Sequence, residues 1–265
     1  MSLVRKLTLE EWFTKHQLNY AFGKYCHNNV TVDVDVTRLV TFAQSDGKRF
    51  SPTAAVIKAV GLLALARPKL NRGLFFTPWG ERIVEFDTIR VNIPVLVANE
   101  GNPVLSGMVI ETPEKKSTRE IHREIRSFAA GDLSDKPISR FIARRSNNLL
   151  NRTLLRILHF VLFRFPKLHA SKGGALSVSS LVNQDIPEMT VRGVAISHTS
   201  LTIAVSGLKK TPEGRYTMLL GIGGNHSVLS GVEGMDSCSV LASILSDPDL
   251  NQFYPEIAPS KSMPD

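Results

Sequence analysis

A histidine at position 226 stands where a side chain can do chemistry. It follows a β-prone run at 217–225 and precedes a short run of mostly small residues at 227–231, after which a helix is predicted. Side chains at a strand-to-helix junction can face a cleft. A histidine has an ordinary pKa of about 6.5, so its neutral imidazole can accept a proton near neutral pH. The position suits a general base at His226, although on position alone a turn residue held by neighbouring backbone groups is the favoured interpretation.

The other groups that could react or bind a metal favour plainer interpretations. Four histidines of helical or N-terminal segments are predicted to be structural: His16, His27, His122 and His159. His198, at the end of a β-prone run, keeps a functional role as a minor alternative. The two cysteines, Cys26 and Cys238, are far apart and lack metal-ligand spacing. Neither a disulfide framework nor a zinc site is expected, and a reducing cytoplasm fits best.

Positive charge is concentrated in one part of the sequence. The 265 residues carry 32 lysines and arginines against 24 aspartates and glutamates, and residues 136–184 contain nine basic residues and no acidic one. Such a segment favours an anionic partner, namely a phosphorylated cofactor, a membrane surface or a nucleic acid. The N-terminus is too charged for a signal peptide, and no apolar run is long enough to span a bilayer. We expect a cytoplasmic protein, peripheral to the membrane at most.

Apolar periodicity predicts that strands and helices alternate along a single domain covering residues 1–265. Strands are predicted at 29–40, 83–89, 93–98, 103–110, 175–181, 191–197, 201–205 and 216–223. Helices are predicted at 51–67, 117–129, 138–165 and 233–246. This mixture predicts an α/β or α+β fold with a large mixed central sheet flanked by helices.

Short motifs along most of the chain occur in the order found in one known family. They are Ser-Pro-Thr-Ala-Ala-Val-Ile-Lys-Ala-Val at 51–60 with Pro-Lys-Leu-Asn at 68–71, Lys-Ser-Thr-Arg-Glu-Ile at 116–121, Gly-Gly-Ala-Leu-Ser-Val-Ser-Ser-Leu at 173–181, and Asn-His-Ser-Val-Leu-Ser-Gly at 225–231, after an opening Val-Arg-Lys at 4–6. In these motifs the sequence resembles the catalytic domain of the dihydrolipoamide acyltransferases of 2-oxo acid dehydrogenase complexes. That family shares its fold with chloramphenicol acetyltransferase.

The resemblance implies an acyl transfer between a coenzyme A thioester and a thiol or hydroxyl acceptor. The site would form between subunits of a homotrimer or of a larger multiple of trimers. In it His226 is the general base and Ser179 donates a hydrogen bond to the oxyanion, with Ser180 as the alternative assignment. Asn225 and Gly231 flank the base within its motif. Coenzyme A or acyl-coenzyme A is the implied substrate, and no metal is implied.

The sequence departs from the family at Ser230, where the family has aspartate or sometimes asparagine. The family aspartate pairs with an arginine that Arg5 matches, and the pair holds the histidine loop. Arg5 is therefore expected to lack this charged partner, which predicts weakened or altered catalysis. Because the domain begins almost at Met1, we expect no lipoyl domain on the chain. The acyl acceptor is then a small molecule, a carrier-protein thiol or a lipid.

A basic, apolar insertion at about 138–169 is longer than the connection that the family has there. It predicts a helix packed on the sheet, a membrane-surface or lipid-substrate helix at 138–165, or a patch for coenzyme A phosphates or an acidic carrier protein. Nucleic-acid binding is not expected, because Phe160, Phe163 and Phe165 fall within a helix rather than on a strand platform. The alternative function is a non-catalytic structural or binding homologue that forms a trimer or a larger shell.

Overall fold

The computed structural model describes residues 5–45, 47–98, 103–132, 135–170, 173–180 and 199–257. The helices are α1 (Leu9–Lys24), α2 (Thr37–Gln44), α3 (Pro52–Ala66), α4 (Thr118–Ala130), α5 (Pro137–Arg144), α6 (Leu149–Arg164), α7 (Pro166–Ala170), α8 (Gly231–Ser246) and α9 (Leu250–Phe253), with 3-10 turns at Pro68–Leu70 and Pro113–Lys115. The strands are β1 (His27–Asp35), β2 (Arg72–Thr77), β3 (Gly80–Glu85), β4 (Arg90–Val97), β5 (Val104–Glu111), β6 (Leu176–Ser180), β7 (Leu201–Lys210) and β8 (Tyr216–Asn225).

Six strands form one mixed sheet in the order β1-β8-β7-β6-β4-β5. Strand β6 runs parallel to both of its neighbours, β4 and β7, and the other pairs are antiparallel. Strands β2 and β3 form a separate two-stranded hairpin. The predicted mixed central sheet flanked by helices is confirmed.

Helix α3 packs between α4, α8 and the sheet, and it carries much of the largest core. Ten of its fifteen residues are buried. Its lysine, Lys58, is only 3% exposed and donates through Nζ to the carbonyl oxygen of Glu114 at 2.7 Å. A Cβ at position 61 would lie 2.7 Å from the Glu114 nitrogen, so only Gly61 lets the helix approach the Pro113–Lys115 turn this closely. The packing of α3 on this turn therefore depends on Gly61 and on the hydrogen bond of the buried Lys58 ammonium group.

Helices α1, α4 and α8 each begin with a reciprocal capping box. The hydroxyls of Thr8, Ser117 and Ser230 each accept a hydrogen bond from a backbone nitrogen three residues later. The carboxylate of a glutamate at that later position accepts a hydrogen bond from the backbone nitrogen of the capping residue. These boxes fix the first residues of the three helices, because they satisfy donors that a helix start leaves open.

The predicted strand at 29–40 was too long. Strand β1 ends at Asp35, and α2 begins two residues later. The Asp35 carboxylate accepts a hydrogen bond from the backbone nitrogen of Thr37 at 2.9 Å, which turns the chain out of the strand. The valines that continued the strand pattern lie instead in and around α2.

The predicted helix at 138–165 is two helices, because Asn148 caps a new start. Its side-chain oxygen accepts from the backbone nitrogen of Asn151 at 2.9 Å. Pro166 begins α7 rather than ending the helical region. Helices α1 and α2 and strand β2 were not predicted. The predicted strand at 191–197, the alternative site His198 and residue 181 lie outside the described residues.

Candidate active site

His226 lies directly after β8, in the five-residue loop that leads into α8. Its backbone nitrogen donates to the carbonyl oxygen of Cys26 at 2.6 Å, and its ring Nδ1 lies 3.0 Å from the carbonyl oxygen of Leu229. A carbonyl oxygen can only accept, so Nδ1 carries the proton and Nε2 keeps its lone pair. The imidazole is exposed within one chain. This orientation suits a general base.

Asn225 anchors the loop from below. It is 1% exposed, and its side-chain oxygen accepts from the backbone nitrogen of Ser227 at 3.1 Å. Its carbonyl oxygen accepts from the backbone nitrogens of Val228 and Leu229, each at 2.9 Å. Its side-chain nitrogen has no hydrogen-bond partner among the described residues. The loop is thus built around one buried amide.

Arg72 holds the same loop from the side and was not predicted as a site residue. Its Nη2 donates to the carbonyl oxygen of Val228 at 2.6 Å, and its guanidinium lies 3.7 Å from the Glu233 carboxylate. The signal in the sequence was its position directly after the family-like motif at 68–71. An arginine at the start of a hairpin strand gave no other sign of this contact.

Ser230 and Gly231 join the loop to α8. The Ser230 hydroxyl accepts from the backbone nitrogen of Glu233 at 3.2 Å. Hydrogen bonds from the Ser230 backbone and from Lys69 lower the pKa of Glu233 to about 2, so the cap is ionised at neutral pH. A Cβ on Gly231 would lie 4.0 Å from Cε1 of His226, in ordinary van der Waals contact with the ring. Ser230 therefore acts here as a helix cap.

Arg5 lies in a different setting from the one expected. Its guanidinium donates to both carboxylate oxygens of Glu11, at 2.7 and 2.5 Å. This hydrogen bonding raises the pKa of Arg5 and lowers that of Glu11 to about 2. Arg5 thus lacks the loop aspartate of the family, as expected, but its charge is paired with Glu11 instead. Arg72, not Arg5, contacts the histidine loop in this chain.

Ser179 and Ser180 point to opposite faces of β6. Leu176 and Val178 are fully buried beneath the helices, and Ser180 shares their face because side chains alternate along a strand. The Ser180 hydroxyl accepts from the hydroxyl of Thr53 at 2.7 Å. Ser179, on the other face, is half-buried, and its hydroxyl has no partner among the described residues. Of the two serines, Ser179 has the hydroxyl available to a ligand.

The chain does not bring Ser179 and His226 together. Ser179 pairs with Ala204 on β7, and Ala204 pairs with Gly221 on β8. His226 lies five residues beyond Gly221, so two strand spacings and five extended residues separate the two side chains by about 19 Å. Within one chain, therefore, the two side chains do not form one site.

Comparisons with known proteins give a clear result for the fold. No family model and no curated protein matches the chain. The Azotobacter vinelandii dihydrolipoamide acetyltransferase structure is 15% identical, with 95% of this chain and 93% of that chain covered at a TM-score of 0.67. The cubic core of a pyruvate dehydrogenase multienzyme complex is 17% identical, with 95% and 93% covered at 0.66. A truncated catalytic core from Thermoplasma acidophilum is 17% identical, with 94% and 100% covered at 0.65.

The chain has the fold of a dihydrolipoamide acyltransferase core. At these identities the likeness concerns the fold, and it confirms the resemblance predicted from the short motifs at that level. The acyltransferase fold explains why the motifs at 173–181 and 225–231 occur in the same sheet: the first contains β6 and the second follows β8.

A basic pocket of about 340 Å³ lies among the helices, near the start of α3. Its polar lining comes from the starts of α3 and α4 and the loop before α3: Lys48, Arg49, Ser51, Thr118, Arg119, His122 and Arg123. His122 contacts the Ser51 hydroxyl at 3.1 Å, and two residues further Thr53 holds Ser180. The sequence did not predict this pocket, because its cations come from separate segments. Grouped cations at two helix starts suit phosphate oxygens.

Metal ligands are not grouped in the described part of the chain. No set of three or more histidine, cysteine, aspartate or glutamate side chains there could hold a metal ion. The polar groups near the two ends of the sheet are instead the imidazole of His226, the hydroxyl of Ser179 and the cations of the basic pocket. Imidazoles transfer protons, and hydroxyls and cations bind anions.

Proposed function

We propose that this protein is a coenzyme A-dependent acyltransferase, in which His226 of one copy and Ser179 of another act on the same substrate. The observation that carries the proposal is the hydrogen bond of His226 Nδ1 to the Leu229 carbonyl oxygen, because it leaves Nε2 free to accept a proton. The acyltransferase fold supports the same reaction. The Azotobacter enzyme was studied through a serine, a histidine and an asparagine of its catalytic mechanism. We propose that Ser179 and His226 correspond to the first two.

The proposed reaction needs only these groups and the two substrates. Nε2 of His226 takes the proton of the acceptor thiol or hydroxyl as its sulfur or oxygen attacks the thioester carbonyl carbon. Ser179 donates to the oxyanion of the tetrahedral intermediate. Collapse of the intermediate breaks the carbon–sulfur bond, and the imidazolium returns its proton to the coenzyme A thiolate. A donor aimed at the oxyanion lowers the barrier by about 3 kcal/mol.

We propose a homotrimer, or a larger assembly of trimers, because one chain keeps the two groups about 19 Å apart. A closed ring of copies repeats one contact, so each copy can give His226 to one neighbour and Ser179 to the other. The pyruvate dehydrogenase core that the chain resembles is described as cubic, which is compatible with such a shell.

The phosphates of coenzyme A are proposed to lie in the basic pocket. The pocket lies near the start of α3, where Thr53 donates to Ser180 on the helix-covered face of β6. Ser179 is on the other face, so the ligand is proposed to pass the end of β6 before it reaches the Ser179 hydroxyl. Phosphate groups are bound well by arginine and lysine side chains near helix starts. The acceptor enters from the His226 side and is a small molecule, a carrier-protein thiol or a lipid.

A second candidate is a non-catalytic member of the same fold that serves as a structural or binding trimer. It is favoured by Ser230, which caps α8 instead of supplying a carboxylate, and by Arg5, whose guanidinium is occupied by Glu11. The two candidates differ in turnover, since both assemble and only the first transfers an acyl group.

The decisive experiment is complementation between two inactive variants. His226→Ala and Ser179→Ala chains are purified alone and as a co-expressed mixture, and coenzyme A release from acyl thioesters is measured. Each variant alone should be nearly inactive. In the mixture about a quarter of the contacts join an intact histidine to an intact serine, so about a quarter of wild-type turnover should return. A mixed assembly, verified by mass, that regains nothing contradicts a shared site. Wild-type chains that transfer no acyl group favour the non-catalytic candidate.

A further inference from the structure

Helix α6 carries apolar side chains on both of its faces. The face toward α1 is buried at every fourth residue: Asn151, Leu155, His159 and Phe163. The rings of His159, His16, Phe13 and Tyr20 contact one another there. Burial lowers the pKa of His159 to about 4, so this contact holds a neutral imidazole. One face is therefore already used for packing within the chain.

The opposite face of α6 is apolar and open to solvent. Leu150, Leu154 and Ile157 recur at helical spacing and are 67, 47 and 55% exposed. Large exposed side chains extend this surface toward both ends of α6: Leu149, Phe160, Phe165 and Leu168. A helix of a globular protein normally turns such a stripe to the core. We call these seven residues the apolar face of α6.

The same helical region carries exposed cations. Five exposed basic residues lie on or next to α5, α6 and α7: Arg140, Arg144, Arg145, Arg156 and Lys167. None of the five forms an ion pair with a carboxylate of the described residues. Trp12 of α1 lies near the same region, with the guanidinium of Arg156 5.3 Å from its ring centre. Apolar residues with nearby cations and a tryptophan are typical of helices that lie on membranes.

The charges near the apolar face of α6 indicate which kind of partner could bind it. A second copy pressed face to face would bring like charges together, and residues 136–184 contain no carboxylate to offset them. A polyanion such as a nucleic acid would match the cations but would leave the leucines and isoleucines against phosphates. An anionic lipid surface meets both requirements, since headgroups take the cations and acyl chains take the apolar residues. No helix among the described residues has the length and apolarity to cross a bilayer.

We propose that α5, α6 and α7 form a membrane-docking surface that places the apolar face of α6 in the headgroup region of an anionic bilayer. The surface lies on elements other than the His226 loop and β6. Docking is therefore independent of acyl transfer, and it holds for either candidate function.

The test is vesicle flotation of the full chain. Vesicles of phosphatidylcholine alone are compared with vesicles containing about a third phosphatidylglycerol, at low and high salt. The wild-type chain should bind the anionic vesicles at least tenfold more tightly than the neutral ones, and high salt should weaken that binding. Binding that ignores lipid charge, or no binding to either vesicle, overturns the proposal.

Matched variants locate the surface. Leu150→Glu and Ile157→Glu should each weaken binding to anionic vesicles about tenfold, because a carboxylate must then enter the headgroup region. Arg144→Gln with Arg145→Gln should weaken it by a similar factor. Leu65→Glu, an equally exposed leucine on α3, is the control and should bind as wild type. If the α6 variants bind as tightly as this control, the surface is elsewhere. If they instead halve the assembly's mass in light scattering, the face joins copies and the proposal fails.

Discussion

The two ends of the central sheet, where His226 and Ser179 lie, are built in different ways. At the His226 end many hydrogen bonds join residues that are close in sequence. The Asn225 side chain accepts from the Ser227 backbone nitrogen, and Ser230 caps α8. At the Ser179 end the neighbours come from distant parts of the chain. Thr53 begins α3, and the cations of the basic pocket come from a loop and from α4.

The two ends therefore have different roles in the proposed site. We call the His226 end the orienting end, because the chain fixes the imidazole there, and the Ser179 end the receiving end, because the ligand is proposed to bind there. The imidazole of His226 has its tautomer fixed before any ligand arrives, through one backbone carbonyl. The Ser179 hydroxyl has no such partner among the described residues, and the pocket of cations lies on the Ser180 side of β6. In the proposed reaction, the base would be preorganised by local contacts, and the oxyanion donor would complete its hydrogen bonding only with substrate. Five substitutions break or sharpen this contrast.

The largest effect is expected at His226. His226→Ala removes the only proton acceptor of the proposed site, and turnover of acyl thioesters should fall about a thousandfold. Coenzyme A binding, measured by calorimetry, and the mass of the assembly should stay unchanged, because the side chain is exposed within one chain. Turnover that survives the substitution would show that another group is the base.

Ser179→Ala should lower turnover about a hundredfold with little change in KM, since the hydroxyl acts mainly on the oxyanion. Ser177→Ala is the matched control. Ser177 lies two residues earlier on the same face and donates to the Asn92 carbonyl oxygen at 3.2 Å. Equal losses in the two variants would mean that the strand, rather than the Ser179 hydroxyl, is being disturbed.

The contrast also explains what the sequence could predict. His226 was found because much of its loop is formed by residues 225–233, a stretch that is visible as a strand, a turn and a helix start. The contacts of Cys26 and Arg72 with this loop gave no such sign. Serines at 179 and 180 were identified together, and only the strand alternation with Thr53 separates them. The mixed sheet followed from period-two runs.

The contacts that the sequence did not predict are those between distant segments. Arg72 reaches Val228 across 156 positions, and the basic pocket joins Arg49 to Arg123. By analogy with the family, Arg5 was assigned to the distant loop at position 230. Its guanidinium instead binds Glu11, a capping glutamate six residues away. Local hydrogen bonds of this kind compete with the long-range pairs of a family. The spacing of residues in a motif does not tell which of several carboxylates an arginine will bind.

Arg72→Met tests whether the loop needs its side support. The variant keeps an apolar stem and loses the hydrogen bond to the Val228 carbonyl oxygen, so the imidazole should be less well aimed. We expect kcat to fall about tenfold with KM nearly unchanged. Arg72→Lys should recover part of the rate, because an ammonium group can still donate. A variant with wild-type kcat would show that the loop is held by Asn225 and Leu229 alone.

Arg123→Gln tests the receiving end. Loss of one cation from the basic pocket should raise KM for coenzyme A about fivefold and leave kcat unchanged. Dephospho-coenzyme A, with one phosphate fewer, should be less sensitive to the substitution. Arg126→Gln, on α4 but outside the pocket lining, is the control. A KM that responds equally to both variants would place the phosphates elsewhere.

The smallest and most diagnostic effect concerns position 230. Ser230→Asp keeps a good N-cap on α8, since aspartate caps as well as serine and its charge is favoured at a helix start. By itself it should change turnover less than twofold, because Arg5 is engaged by both carboxylate oxygens of Glu11. Glu11→Gln keeps the capping box of α1 and weakens that ion pair. Within one chain Arg5 precedes α1, whereas Val228 packs against the other end of that helix, about 24 Å away. The double variant can therefore offer the introduced carboxylate only the Arg5 of a neighbouring copy, and that pairing should raise kcat a further two- to threefold over either single variant. The excess over the sum of the single effects, measured as a double-mutant cycle, is the quantity to compare. An active wild type with no such excess would show that Arg72 is the cation that supports the loop. It would also show that Arg72 has replaced the aspartate–arginine pair that Ser230 cannot form.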